Sequence, residues 1–454
     1  MGAEIERLAA FAAETAWDDI PAAVKQHAKL TLLDTLGVIL GGTGRPEVRA
    51  LRASLANGTG AKDAGATAFG CDWSAASPPV AALLNGIAGR AIELCEGLRM
   101  ASGQVAVQIL PGLLAAAEAR NLSGQAVLRA FILGYDVAAR LSLAFTPWPL
   151  AHQNGQVCLI GAAAAGAALR GMDAAGVSLA MRAAATLVLT PSYTSVGAGA
   201  TALNAAGGMS GFAGVLAPEL AAAGFTAQAD AIEIGLGNLT GRGFAPAGLV
   251  EDLGTVWHIT RNYFRLYACC NPIHPALDAL KAVLDQLQPK PEEIDRIDVA
   301  TYRFASVMSN PDPENYFASK YSLPHIAAVM AVTGRADHAA TGDEALREPA
   351  VVSLRKRVHI EEDAAMTAKV PALRPARVTV RLVDGRSGTC AVESHRGDFN
   401  DPFTEEEIRG KFRGLAGDVL TPEGVYLLED AVARMEAIAD AWDLAFVLRA
   451  HVRA

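Results

Sequence analysis

"RLYACCNPIHPALDAL", residues 265–280, marks the point where the chain changes texture. An arginine, a tyrosine, two adjacent cysteines and a histidine fall within ten positions. Leu277, Leu280, Leu284 and Leu287 then recur at helical spacing. Asn271 is a favoured N-cap and Pro272 suits a first helical position, so the stretch reads as a helix entry. Amides at such an entry attract anions, and Arg265 and His274 flank it. Two readings stay open. One is a carboxylate site in a cleft between domains, where ligand sites concentrate. The other is a structural histidine beside an arginine that ties two domains together.

Upstream of this seam the pattern is helical. Pro21 opens a helix carrying Leu33, Leu36 and Leu40, and Gly41 and Gly42 are expected to stop it. Further helices are predicted over 80–96, 110–119, 124–145, 155–170 and 174–186. The segment "GAAAAGAAL" (161–169) has almost no side-chain bulk, which predicts close backbone approach and a central place. Downstream, "IDRIDVATY" (294–302) alternates Ile297, Val299 and Thr301 as a strand does. "ARVTVRLVDGRSGTCAV" (376–392) reads as two strands joined at Asp384-Gly385. Thr404 and Glu407 form a capping box that starts another helix. The predicted fold is mainly α with an inserted α+β domain. A helical domain spans 1–266, an α+β lid spans 267–397, and helices at 398–454 return to the first domain.

A chain of 454 residues has ample material for a core and for two or three domains. The net charge of −9 offers no basic footprint for nucleic acid or an anionic membrane. Residues 183–218 carry no charge, but Pro191 and many Gly, Ser and Thr residues break the stretch, so no membrane span is expected. Glu4, Glu6 and Arg7 interrupt any apolar leader, which makes the cytoplasm the default location. The cysteines are Cys71, Cys95, Cys158, Cys269, Cys270 and Cys390. No CxxC or CxxH spacing occurs, so no metal site is expected and reduced, packed thiols are.

Eight segments together resemble the 2-methylcitrate dehydratase (MmgE/PrpD) family, which includes cis-aconitate decarboxylases and an iminodisuccinate epimerase. They are "AKLTLLDTLGVILGG" (28–42), "AALLNGIAGRAIEL" (81–94), "ILPGLLAAAEA" (109–119), "HQNGQVCLIGAAAAGAALRGMD" (152–173), "LAAAGFT" (220–226), "FRLYACCNPIHPALDA" (264–279), "ASKYSLP" (318–324) and "GDFNDPFTEEEIRGKFR" (397–413). The resemblance implies a helical domain with an α+β lid, a homodimer, and no organic cofactor or metal. His152, Tyr267, Cys270, His274 and Ser322 fit the family pattern. Arg90 stands where a histidine is usual, and Glu93, Cys95 and Glu96 where aspartates are. Gln104 replaces a second histidine. Leu203 replaces a lysine that no shift of alignment restores, because none occurs between Lys62 and Lys281. Arg265 replaces a further lysine.

What the resemblance implies is a lyase, of dehydratase or decarboxylase type, that abstracts a proton α to a carboxylate of a small di- or tricarboxylate. The alternatives are an epimerase of a small dicarboxylate, and an inactive descendant that binds a small acid or serves as a scaffold. The expected base is His152. Glu93 and Glu96, one turn apart in the predicted helix, are a candidate acid–base pair or else a solvated face. The expected substrate-binding residues are Arg265, His274, Arg90, Gln104, Tyr267 and Tyr193. Arg265 cannot shuttle a proton but can clamp a carboxylate.

Overall fold

The computed structural model describes residues 2–56, 65–70, 74–100 and 103–453. Two hydrophobic cores organise them. The first is built from α1 (Ala22–Gly42), α2 (Pro78–Arg90), α3 (Ala106–Arg120), α4 (Gly124–Ala144), α5 (Val157–Leu169) and α6 (Asn204–Ala222). Every residue of α5 is buried. Its small side chains explain why: a Cβ on Gly166 would lie 2.0 Å from the carbonyl oxygen of Gly214 in α6. These helices pack backbone against backbone.

Gly41 and Gly42 do not stop α1. They form its last turn, and a Cβ on Gly42 would lie 1.8 Å from the carbonyl oxygen of Ala88 in α2. The glycines are there for contact, not for termination. The predicted helix over 80–96 also ends early, at Arg90. Beyond it the chain turns, with Glu93 at φ 51°, a left-handed backbone that non-glycine residues seldom adopt.

The second core lies on a four-stranded sheet. Its strands are β1 (Ile294–Thr301), β2 (Val358–Glu362), β3 (Ala376–Leu382) and β4 (Ser387–Val392), in the order β2-β1-β3-β4. β1 runs parallel to β2 and antiparallel to β3. β3 and β4 form the hairpin at Asp384-Gly385. Val378 and Val380 point inward onto α7 (His274–Leu287), meeting Leu277, Leu280 and Val283. Arg377 and Arg381 point out, the alternation a half-buried strand requires. Asn271 caps neither α7 nor the 3₁₀ turn Asn271–Ile273 before it. Its side chain is used elsewhere.

After the sheet, the capping box at Thr404 and Glu407 opens α8 (Glu405–Gly417). Phe412 of α8 enters the first core and covers Gly37 of α1. The Lys411 ammonium forms a buried ion pair with Asp34 at 2.6 Å. Both ends of the chain thus build the first core. The fold is mainly helical with a smaller α+β unit. Among the described residues no helix is long and apolar enough to cross a membrane. Cys71 lies outside the described residues, and the other five cysteines are free thiols.

Candidate active site

The turn after α2 is pinned just beyond Glu93. The Glu96 carboxylate accepts the Ala106 N–H at 2.6 Å, the Tyr135 hydroxyl at 2.9 Å and the Asn262 amide at 3.3 Å. Lys411 donates to the Leu94 carbonyl at 2.7 Å. Glu93, next to these ties, turns into a cavity at the junction of the two cores. Its carboxylate accepts from Arg90 Nη2 at 3.0 Å, Arg265 Nη1 at 2.8 Å and the Tyr321 hydroxyl at 2.7 Å.

The cavity is about 80 Å³, room for about three waters at liquid density. Arg90, Glu93, Gln104, His152, Tyr193 and Arg265 line it. So do Cys270, Asn271, Tyr321 and Arg374, from beyond the seam. Burial pushes the Glu93 carboxyl upward, but the Arg90 and Arg265 guanidiniums outweigh it and hold the group at about 2. Glu93 is therefore a permanent anion and a poor base.

His152 is 6% exposed and stacks on Tyr193, with ring centroids 5.4 Å apart and planes 20° from parallel. Burial, and then the charge of Arg90, lower its pKa to about 4. The ring is neutral at pH 7. Its Nδ1 accepts the Asn154 backbone N–H at 3.2 Å. The lone pair on Nδ1 is engaged, so the single ring proton sits on Nε2.

With His152 neutral, three guanidiniums (Arg90, Arg265, Arg374) face the cavity against one carboxylate (Glu93), a surplus of two positive charges. Arg374 donates from Nη1 to Asn271 Oδ1 at 2.5 Å and from Nη2 to the Arg99 carbonyl at 3.3 Å. No carboxylate pairs with it among the described residues.

Three residues named from the sequence do not line this cavity. His274 is fully buried in the second core, its Nε2 3.2 Å from the Cys269 carbonyl and its ring 5.3 Å from those of Tyr267 and His395. Burial, then His395 and Arg265, push its pKa well below the ordinary value. Tyr267 donates to Asp278 at 2.8 Å and faces an outer groove. Glu96 supports the turn from behind, and burial pushes its carboxyl up to about 7. Because α2 ends at Arg90, Glu93 and Glu96 share no helical face. Leu203 is buried against the second core, in apolar packing. Arg374, which sequence reading missed, lies in the irregular "PALRPAR" (371–377), where no periodicity or motif marks it. Tyr321 lay within a quoted motif but carried no charge to single it out. Among the described residues no group of three or more His, Cys, Asp or Glu side chains is placed to hold a metal ion.

Residues 6–243 match the MmgE/PrpD N-terminal domain and residues 267–437 match the MmgE/PrpD C-terminal domain. Among curated relatives, the cis-aconitate decarboxylase of Aspergillus terreus is 26% identical, over 98% of this chain and 95% of that protein. The cis-aconitate decarboxylase-like protein oryM of Aspergillus oryzae is 27% identical, over 94% of this chain and 93% of its own length. The cis-aconitate decarboxylase of Mus musculus is 23% identical, over 91% and 87%.

Proposed function

From a chain that belongs to the MmgE/PrpD family, we propose a lyase that removes carbon dioxide from a small polycarboxylate bound in the cavity between the two cores. The observation that carries this reading is the proton position on His152. Dehydration and epimerisation both begin by taking a proton from carbon, which needs a free basic lone pair. His152 offers the cavity an Nε2–H donor, because Nδ1 is occupied by the Asn154 N–H. Glu93 is an anion stabilised by two guanidiniums. The site is rich in donors and poor in bases.

Decarboxylation suits such a site. The carbon–carbon bond to the departing carboxylate breaks, and its electron pair stays on the remaining carbon. That charge spreads onto the oxygens of a neighbouring carboxylate, where fixed donors stabilise it. A proton from water then completes the product. In this reading His152 Nε2–H and the surplus cationic charge face the developing charge, and Tyr193 orients the imidazole by stacking. The proton abstraction expected from the family resemblance is not the first step here. The named relatives, all cis-aconitate decarboxylases or like them, support the same reaction class.

The test is a panel of di- and tricarboxylates assayed in deuterated water. Carbon dioxide should be released, deuterium should appear in the product, and recovered substrate should carry none. Exchange into substrate without release of carbon dioxide would replace this reading by an isomerase or dehydratase. Silence across the panel would favour a non-catalytic binder.

We further read the assembled form as a homodimer. Leu143, Trp148, Leu150 and Leu239 are 48%, 46%, 67% and 70% exposed. They lie beside the paired segments Phe145–Pro147 and Gly241–Phe244. An apolar group of that size supports a covered face.

A further inference from the structure

We propose that Arg374 is the specificity-determining cation of the cavity, that it holds one carboxylate of the substrate, and that the substrate is a dianion because Glu93 already occupies the place between Arg90 and Arg265. This deepens the polycarboxylate reading above and rests on it.

The three arginines are not equivalent. Arg90 and Arg265 are each 1% exposed and each is bound to the same carboxylate, that of Glu93. Arg90 spends Nη1 on the Cys95 sulfur, and Arg265 spends Nη1 also on the carbonyls of Glu93 and Cys269. Nε of each has no partner among the described residues, but the Nη edges already serve Glu93, so a second carboxylate there would have to share the two-pronged grip with it. Arg374 is half-buried and bonded only to neutral oxygens. No carboxylate is bonded to it among the described residues; Asp398, which pairs with Arg99, acts on it only through space.

Its position is also fixed before any ligand arrives. His395 Nδ1 lies 2.8 Å from the Arg396 carbonyl, so that nitrogen carries the ring proton. Nε2 is then an acceptor and takes the Asn271 amide N–H at 2.8 Å. The amide orientation of Asn271 follows, and its oxygen is presented to Arg374. From the other direction, Arg99 donates to the Ala372 carbonyl at 2.6 Å while Arg374 donates back to the Arg99 carbonyl. A guanidinium held this way loses little freedom on binding an anion.

Charge then selects the ligand. A dianion neutralises the surplus of two positive charges, whereas a trianion leaves one buried negative charge uncompensated, which is costly. A monoanion leaves one cation unmatched. Glu93 acts as a built-in third carboxylate, reaching the guanidinium pair that a tricarboxylate would otherwise occupy.

The experiment is calorimetric titration of the full chain at pH 7.5 with crotonate, glutaconate and cis-aconitate, which carry one, two and three carboxylates. Glutaconate should bind at least about tenfold more tightly than either of the others. Arg374→Ala should weaken glutaconate by at least about tenfold, and Arg374→Lys, which keeps the charge, by less. Glu93→Gln removes the internal negative charge and raises the surplus to three, so in the folded variant the affinity for cis-aconitate relative to glutaconate should rise. Tighter wild-type binding of cis-aconitate than of glutaconate overturns the proposal. So does glutaconate binding indifferent to Arg374→Ala in a variant whose melting temperature matches wild type, or an unchanged preference in folded Glu93→Gln. Carbon dioxide release with binding indifferent to Arg374 removes this proposal and leaves the lyase. Arg374-dependent binding of glutaconate without turnover removes the lyase and leaves this proposal.

Discussion

His152 accepts on Nδ1 the backbone N–H of Asn154, two residues further along the chain, at 3.2 Å. A backbone amide cannot give up its proton, so this one contact fixes which imidazole nitrogen carries hydrogen. If His152 acts as an Nε2–H donor, glutamine can imitate it, because its side-chain amide places an N–H near the same point. His152→Gln should therefore retain measurable turnover, and His152→Ala should lose about 10²-fold or more, the usual cost of one missing donor to developing charge. Equal loss in both variants would point back to His152 as a base.

The same imidazole has an acid limit. Burial and Arg90 hold the His152 pKa at about 4. Above that value the neutral donor persists, so turnover should show no limb from this group between about pH 5 and 8. Below about pH 4 protonation puts a second hydrogen on the ring, at Nδ1, facing the Asn154 N–H. A fall in activity centred near pH 6.5, the ordinary histidine value, would contradict this.

Glu93 neutralises two buried guanidiniums, so Glu93→Gln should destabilise the fold by about 3–5 kcal/mol in chemical denaturation, as breaking a buried ion pair does. The pH dependence has a definite sign. The folded-state pKa of about 2 lies below the ordinary 4.5. The advantage of wild type over Glu93→Gln is fully present above about pH 4.5 and shrinks as pH falls toward 2. An advantage that grows on acidification would contradict the ion-pair assignment.

Gly166 faces the carbonyl of Gly214 so closely that a methyl group has no room. Gly166→Ala should cost about 1–3 kcal/mol or more through forced separation of α5 and α6, although alanine is the better helix former. A neutral or stabilising effect on the melting temperature would mean that the helices are less tightly apposed.

The homodimer reading predicts that light scattering gives twice the chain mass at micromolar concentration. Trp148→Glu combined with Leu239→Glu should convert the protein to a monomer without unfolding it, since both side chains are largely exposed. A wild-type monomer would remove the reading.

The sequence made the fold legible where periodicity is strong. The hairpin at Asp384-Gly385, the capping box at Thr404 and the small-residue helix all follow from local pattern. The end of α2 did not, because nothing in "GRAIELCEG" (89–97) signals a stop. The turn there is imposed by tertiary contacts, from Asn262 to Glu96 and from Lys411 to the Leu94 carbonyl, that come from distant segments. That error also put Glu93 and Glu96 on one face. His152, Arg265, Arg90, Glu93, Gln104 and Tyr193 were legible as chemically distinct residues at motif positions. His274 was equally distinct, but a histidine's burial depends on which helix face meets the sheet. Arg374 was invisible because its segment has no period and its role depends on Asn271, 103 positions away.

The tie from Lys411 to Asp34 and the Leu94 carbonyl spans 377 and 317 residues. During synthesis the chain emerges from its N-terminal end. Most of the cavity's residues precede Arg265, yet the clamp that holds their turn is supplied by Lys411, far downstream. Contacts of such long range form late and slowly. A nascent or C-terminally truncated chain would therefore carry nearly every side chain of the site without the means to hold Glu93 between Arg90 and Arg265. The hold on that turn comes from α8, far from the residues it serves.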